Sequence, residues 1–95
     1  PYEYAVEQAS NSPKVIAALG SPVETDGIMQ GNISLENGDS GQVDITIPLK
    51  GSKRKGYVTI IGEKVNGDWV YEELYVLIKS TNEEINLLDK SLEGN

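Results

Sequence analysis

The sequence predicts an α+β domain: N-terminal helices packed on one face of an antiparallel β-meander of four to five strands. Three observations carry this. Apolar residues recur at helical spacing only before Gly20. Residues 43–49 alternate between apolar and polar side chains. Two Asn-Gly pairs, Asn37-Gly38 and Asn66-Gly67, separate runs rich in β-branched and aromatic residues. Helices gathered at one end of the chain and strands at the other are the pattern of an α+β fold.

The first helix is predicted over 2–11, where Tyr2, Ala5, Val6 and Ala9 recur at i, i+3, i+4 and i+7. A second follows over 13–19. Ser12 suits its N-cap and Pro13 its first turn; Gly20 suits the position just past its end, and Pro22 forbids continuation. Val15, Ile16 and Leu19 form its apolar stripe. Beyond Gly20 the period falls toward two. Met29, Ile33 and Leu35 share one face of a first strand, which turns at Asn37-Gly38. Val43, Ile45, Ile47 and Leu49 then alternate with Gln42, Asp44 and Thr46 in a half-buried second strand. Pro48 places an edge or a bulge near its end. Two further strands flank Asn66-Gly67. In the last, Leu74, Val76 and Ile78 lie on one face and Trp69, Tyr71, Tyr75 and Leu77 on the other, a pattern expected of a strand covered on both sides. Ile85-Asn86-Leu87-Leu88 adds a short strand or packs across the sheet, and 89–95 reads as a frayed tail.

Ninety-five residues fit a single globular domain over 1–95. The absence of Cys and His excludes disulfides, thiol nucleophiles, Cys/His zinc sites and histidine acid–base catalysis. A formal charge of -7 argues against nucleic acid as a partner. No apolar run reaches the length of a spanning helix. The chain opens at Pro1, which points to a processed or truncated N-terminus.

Half of the eight cations fall in one stretch, Lys50, Lys53, Arg54 and Lys55, within "KGSKRKG". Gly51 and Gly56 have the spacing of a phosphate-binding loop. A strand follows them rather than a helix, so that motif fails. One reading is a solvated hairpin tip whose glycines supply turn dihedrals and whose cations folding does not need. The other is a patch meeting anionic lipid, a small anionic ligand or an acidic partner. Glu72 and Glu73 are neighbours on a strand and point to opposite faces unless a bulge intervenes. "ENGDSG" (36–41) lacks the ligand ladder of a calcium loop. Trp69, Tyr71 and Tyr75 are either a binding surface or part of the core. No catalytic, metal or cofactor residue is predicted.

Several segments resemble one known family. They are "VIAALGSPV" (15–23), "GNISLENGDSGQVDITIPLKGSKRKGYVTIIGEKVNGDWVYEELYV" (31–76) and "INLL" (85–88). Together they are similar to the cytochrome oxidase assembly factor 1 family, which is related to the intermembrane-space domain of a regulatory subunit of the mitochondrial presequence translocase. The resemblance rests on Leu19-Gly20-Ser21-Pro22, Gly31, Asn37-Gly38, Ile47-Pro48-Leu49 with Gly51, Lys53, Lys55 and Gly56, and Asn66-Gly67-Asp68-Trp69. It implies an α+β domain without catalytic activity, tethered by an N-terminal membrane helix preceding Pro1 and lying on the extracytoplasmic side. It implies work by contact with a protein partner of unknown identity in assembling or regulating membrane complexes. The acidic chain resembles bacterial members, and the family's mitochondrial partners are not carried over.

Overall fold

The computed structural model describes residues 1–88. The tail at 89–95, read above as frayed, lies outside the described residues. Helices α1 (Tyr2–Asn11) and α2 (Pro13–Leu19) are followed by strands β1 (Glu24–Thr25), β2 (Gln30–Asn37), β3 (Ser40–Lys50), β4 (Lys55–Val65), β5 (Asp68–Ile78) and β6 (Glu84–Asn86). All pairings are antiparallel. The sheet runs β1-β3-β4-β5-β6, and β2 pairs with β3 on the same side as β1. The chain is thus α+β, with two short helices before an antiparallel meander.

The helices form where the spacing predicts. Ser12 accepts from the Val15 N–H at 3.4 Å, Pro13 occupies the first turn, and Gly20 ends α2 at φ 87°. Ala5, Ala9, Val15 and Leu19 are buried in one cluster with Val43, Ile45, Ile47 and Leu49 of β3, Val58 and Ile60 of β4, and Leu74, Val76 and Ile78 of β5. Register places these strand residues on a single face, because Ile45 opposes Ile60 and Ile60 opposes Leu74. No polar side chain is buried among the described residues.

The edges and turns depart from the sequence reading at four points. The two-residue β1, wholly exposed and polar, carries no hydrophobic period that could announce it. Met29 precedes β2, and Ile33 and Leu35 share the side of Val43 and Gly41 yet remain 39% and 63% exposed. The first hairpin turns at Gly38-Asp39, one residue later than Asn37-Gly38. The Asn37 side chain accepts from the N–H groups of Asp39 (2.9 Å) and Ser40 (3.2 Å) and so fixes the turn from its flank. Asn66 and Gly67, at φ 52° and 86°, do form the second turn as predicted. Pro48 sits in an interior strand. Its side of β3 is the gap between β1, which pairs at Leu49, and β2, which pairs at Thr46. The Pro48 carbonyl there accepts from Asp26 N–H at 2.9 Å, so its missing donor costs no ladder bond.

The fourth departure is a bulge. Ile61 opposes Glu73 but Gly62 opposes Tyr71, leaving Glu72 as an extra residue in β5. Parity inverts there. Trp69 and Tyr71 join the face of Leu74 and Val76 and pack against the buried cluster, whereas Tyr75 and Leu77 stay on the other side. That opposite face is half-buried at Tyr75 and Leu77 and no described element lies over it, so β5 is not enclosed on both sides.

Candidate functional site

The cationic stretch closes the β3–β4 hairpin. Lys50 opposes Lys55, so the loop proper is residues 51–54. It docks onto the end of α2. Lys53 and Arg54 N–H donate to the Leu19 carbonyl at 2.7 and 3.0 Å, and Ser52 N–H donates to the Gly20 carbonyl at 3.2 Å. The Arg54 guanidinium Nη1 donates to the Ala18 carbonyl at 3.0 Å. Within the loop, Gly51 N–H donates to the Arg54 carbonyl at 2.9 Å. A helix leaves its last carbonyls without intrahelical partners and carries a partial negative charge there. The loop supplies both the missing donors and the cations.

The glycines matter for a different reason from the one predicted. The positive-φ glycines are Gly20, Gly27, Gly31 and Gly67; neither Gly51 nor Gly56 is among them. A Cβ at Gly51 would collide with the Leu19 and Gly20 carbonyl oxygens, and one at Gly56 with the Leu77 carbonyl oxygen. Close backbone approach is what demands glycine at both places.

The cations divide by role. Arg54 holds α2. Lys55 lies 3.4 Å from the Asp26 carboxylate, an exposed pair worth little by itself. Lys50 and Lys53 are exposed and appear in no ion pair among the described residues. Lys79 joins them from the end of β5, its N–H donating to the Lys55 carbonyl at 3.0 Å. Sequence reasoning missed Lys79, because only the register of β5 against β4 brings it to the hairpin.

The aromatic candidates separate. Tyr71 stacks on Tyr4 of α1, with ring centroids 5.1 Å apart and planes at 12°. Trp69 lies 6.4 Å from Tyr71, nearly parallel at 4°. Burial, and secondarily the charge of Tyr4, raises the pKa of the Tyr71 hydroxyl above its ordinary value of 10.0. Tyr75 stands apart on the opposite face. No grouping of three or more acidic side chains suited to a metal ion occurs among the described residues. No helix among them is long and apolar enough to cross a membrane.

Comparison with known proteins gives one match: the family model described as cytochrome oxidase complex assembly protein 1 covers residues 1–89. Searches of curated proteins and of solved structures return no match.

Proposed function

This chain belongs to the cytochrome oxidase complex assembly protein 1 family, and on that premise we propose that it is a non-enzymatic interaction module serving the assembly of a membrane oxidase complex. In this reading residues 1–95 form one domain, its helices cover one sheet face, and a membrane segment preceding Pro1 tethers it on the extracytoplasmic side. It grips an acidic surface of a protein partner through Lys50 and Lys53, set in place by Arg54 and Lys55.

One observation carries the choice of surface: four hydrogen bonds pin the 51–54 loop to the end of α2. A pinned loop presents its lysines without the ordering cost of a free one. The same cations suit anionic lipid headgroups, each contributing about 1 kcal/mol near a charged bilayer. The position of α1 favours protein. Tyr4, in its first turn, lies against Tyr71, which opposes Gly62, while the cations cluster around Lys55. Gly62 and Lys55 are separated by about 23 Å of β4. A tether entering at Pro1 therefore leaves the hairpin pointing away from the bilayer.

The test uses the full-length protein in its own membranes. Partners captured by proximity labelling are compared between the native chain and a Lys50→Ser/Lys53→Ser variant. Loss of an acidic partner, with the melting temperature unchanged, is the expected result, and the capture should weaken as salt screens beyond ~10 Å at 0.1 M. Equal capture by both chains would overturn the reading. Salt-sensitive flotation of the domain with phosphatidylglycerol vesicles, lost in the variant, would transfer the hairpin to lipid.

A further inference from the structure

The sheet face opposite the buried cluster is the second surface on which this chain invites a partner. An antiparallel sheet commonly leaves one face to water, and such a face is then polar at alternate positions. Here it is not. Along β4 it presents Tyr57, Thr59, Ile61, Glu63 and Val65; along β5 it presents Val70, Glu73, Tyr75 and Leu77. Val65 and Val70 are 45% and 53% exposed, and no described element covers them.

The face is also hollow. Two depressions, of about 490 and 500 Å³, share Asp44 and form a trough along β3 and β4. One end holds Pro48 and Tyr57 beside Gln30 and Thr46. The other holds Ile61 between Asp44, Glu63 and Glu72. Neither lining contains a lysine or arginine. The bulge adds the Glu72 carboxylate to this end. From the Tyr57–Leu77 row to the Glu63–Val70 row is six residues, about 20 Å of strand. That matches an α-helix of about 13 residues.

We propose that this face seats an amphipathic helix of a partner protein, lying over the trough and its β5 flank, its apolar stripe on Tyr57 and Ile61 of the trough and on Tyr75 and Leu77 beside it, and its lysines or arginines against Asp44, Glu63 and Glu72 with Glu73 alongside. Charge selects this occupant. Carboxylates with no lysine or arginine among them attract a cationic helix and repel an acidic one. Sheet faces bury helices because a helix stripe and a pleated face are complementary in width and polarity. The acid-lined end of the trough lies away from the cationic hairpin, which adjoins its Tyr57 end and attracts the opposite charge.

The test titrates the domain with a fluorescent synthetic peptide of Lys and Leu arranged as an amphipathic helix, with its Glu/Leu counterpart alongside. The Lys/Leu peptide binds, the Glu/Leu peptide does not, and amide shifts of the labelled domain concentrate on the face positions of β3, β4 and β5. Asp44→Asn/Glu63→Gln/Glu72→Gln/Glu73→Gln weakens binding at least about tenfold. Tyr75→Thr/Leu77→Thr does the same, while Glu3→Gln/Glu7→Gln/Glu24→Gln/Glu83→Gln, which removes equal charge elsewhere, and Lys50→Ser/Lys53→Ser leave it within about twofold. All replaced side chains are exposed or half-buried, and thermal melts confirm folding. Shifts centred on the helices, equal weakening by the two acidic quadruple variants, or full binding by the Tyr75/Leu77 variant would refute the proposal.

Discussion

Replacing Gly51 with Ala tests the docking of the hairpin on α2. One methyl group is added, at the point where the loop backbone meets the Leu19 and Gly20 carbonyls. The methyl cannot be accommodated by a side-chain rotation, because both obstacles are backbone oxygens. The loop must lift, and three backbone hydrogen bonds, from Ser52, Lys53 and Arg54, lengthen or break together. At roughly 1 kcal/mol net for each bond, the loss is about 2–4 kcal/mol. A helix as short as α2, with seven residues, has little stability of its own. Uncapping it therefore also loosens Leu19, which is fully buried. For a domain of this size the loss corresponds to a fall of about 10–20 °C in melting temperature. Gly38→Ala is the control. A Cβ there meets nothing within 4 Å, so its melting temperature should move by no more than about 2 °C. Circular dichroism melts and urea titrations read both. A Gly51→Ala protein as stable as the native one would mean that the loop does not rest on the helix end.

Three other perturbations have defined outcomes. Ile45→Ala and Ile47→Ala each remove a fully buried side chain and should cost about 2–5 kcal/mol in urea denaturation; costs below half a kcal/mol would misplace the buried face. The Tyr71 hydroxyl should titrate above its ordinary value of 10.0 in ultraviolet difference spectra, and Tyr71→Phe should remove that component. Its pKa is raised by folding, so its contribution to stability is complete below the unfolded value near 10 and is lost as pH rises through the folded one. Deleting Glu72 should regularise β5 with Tyr71 still opposite Gly62, leaving Trp69 and Tyr71 on the buried face and the fluorescence of the lone tryptophan unshifted; a red shift would show that the bulge does not absorb the extra residue.

Much of the fold was legible because its determinants are local. Ser12, Pro13 and Gly20 act within a turn of where they stand, and the alternation at 43–49 fixes which side of β3 is buried. Asn66-Gly67 gave a turn with the positive φ values that dipeptide favours. Asn37 misled by one residue because its side chain serves the turn from outside it, an alternative equally open to Asn. The expectation that the loop cations point only to water failed at Arg54, because Ala18 lies 36 residues away and no local signal links the two.

The bulge shows why the face of an aromatic residue is harder to read than its burial. Counting by two from Leu74 back to Trp69 assumes a regular strand, and one inserted residue inverts the answer. The sequence does carry a trace of it. Tyr71 and Leu74 are three apart, with two acids between them, and an apolar residue at each end of a Glu-Glu pair cannot share a buried face in an unbroken strand. A bulge reconciles the two. It sets Tyr71 under Tyr4 on the buried side and leaves Glu72 and Glu73 on the exposed one. The extra residue thus adds a carboxylate at the end of the open trough while the bulge keeps Tyr71 in register with Gly62, so its removal should change the surface charge at this end of the domain and leave the packing beside α1 in place.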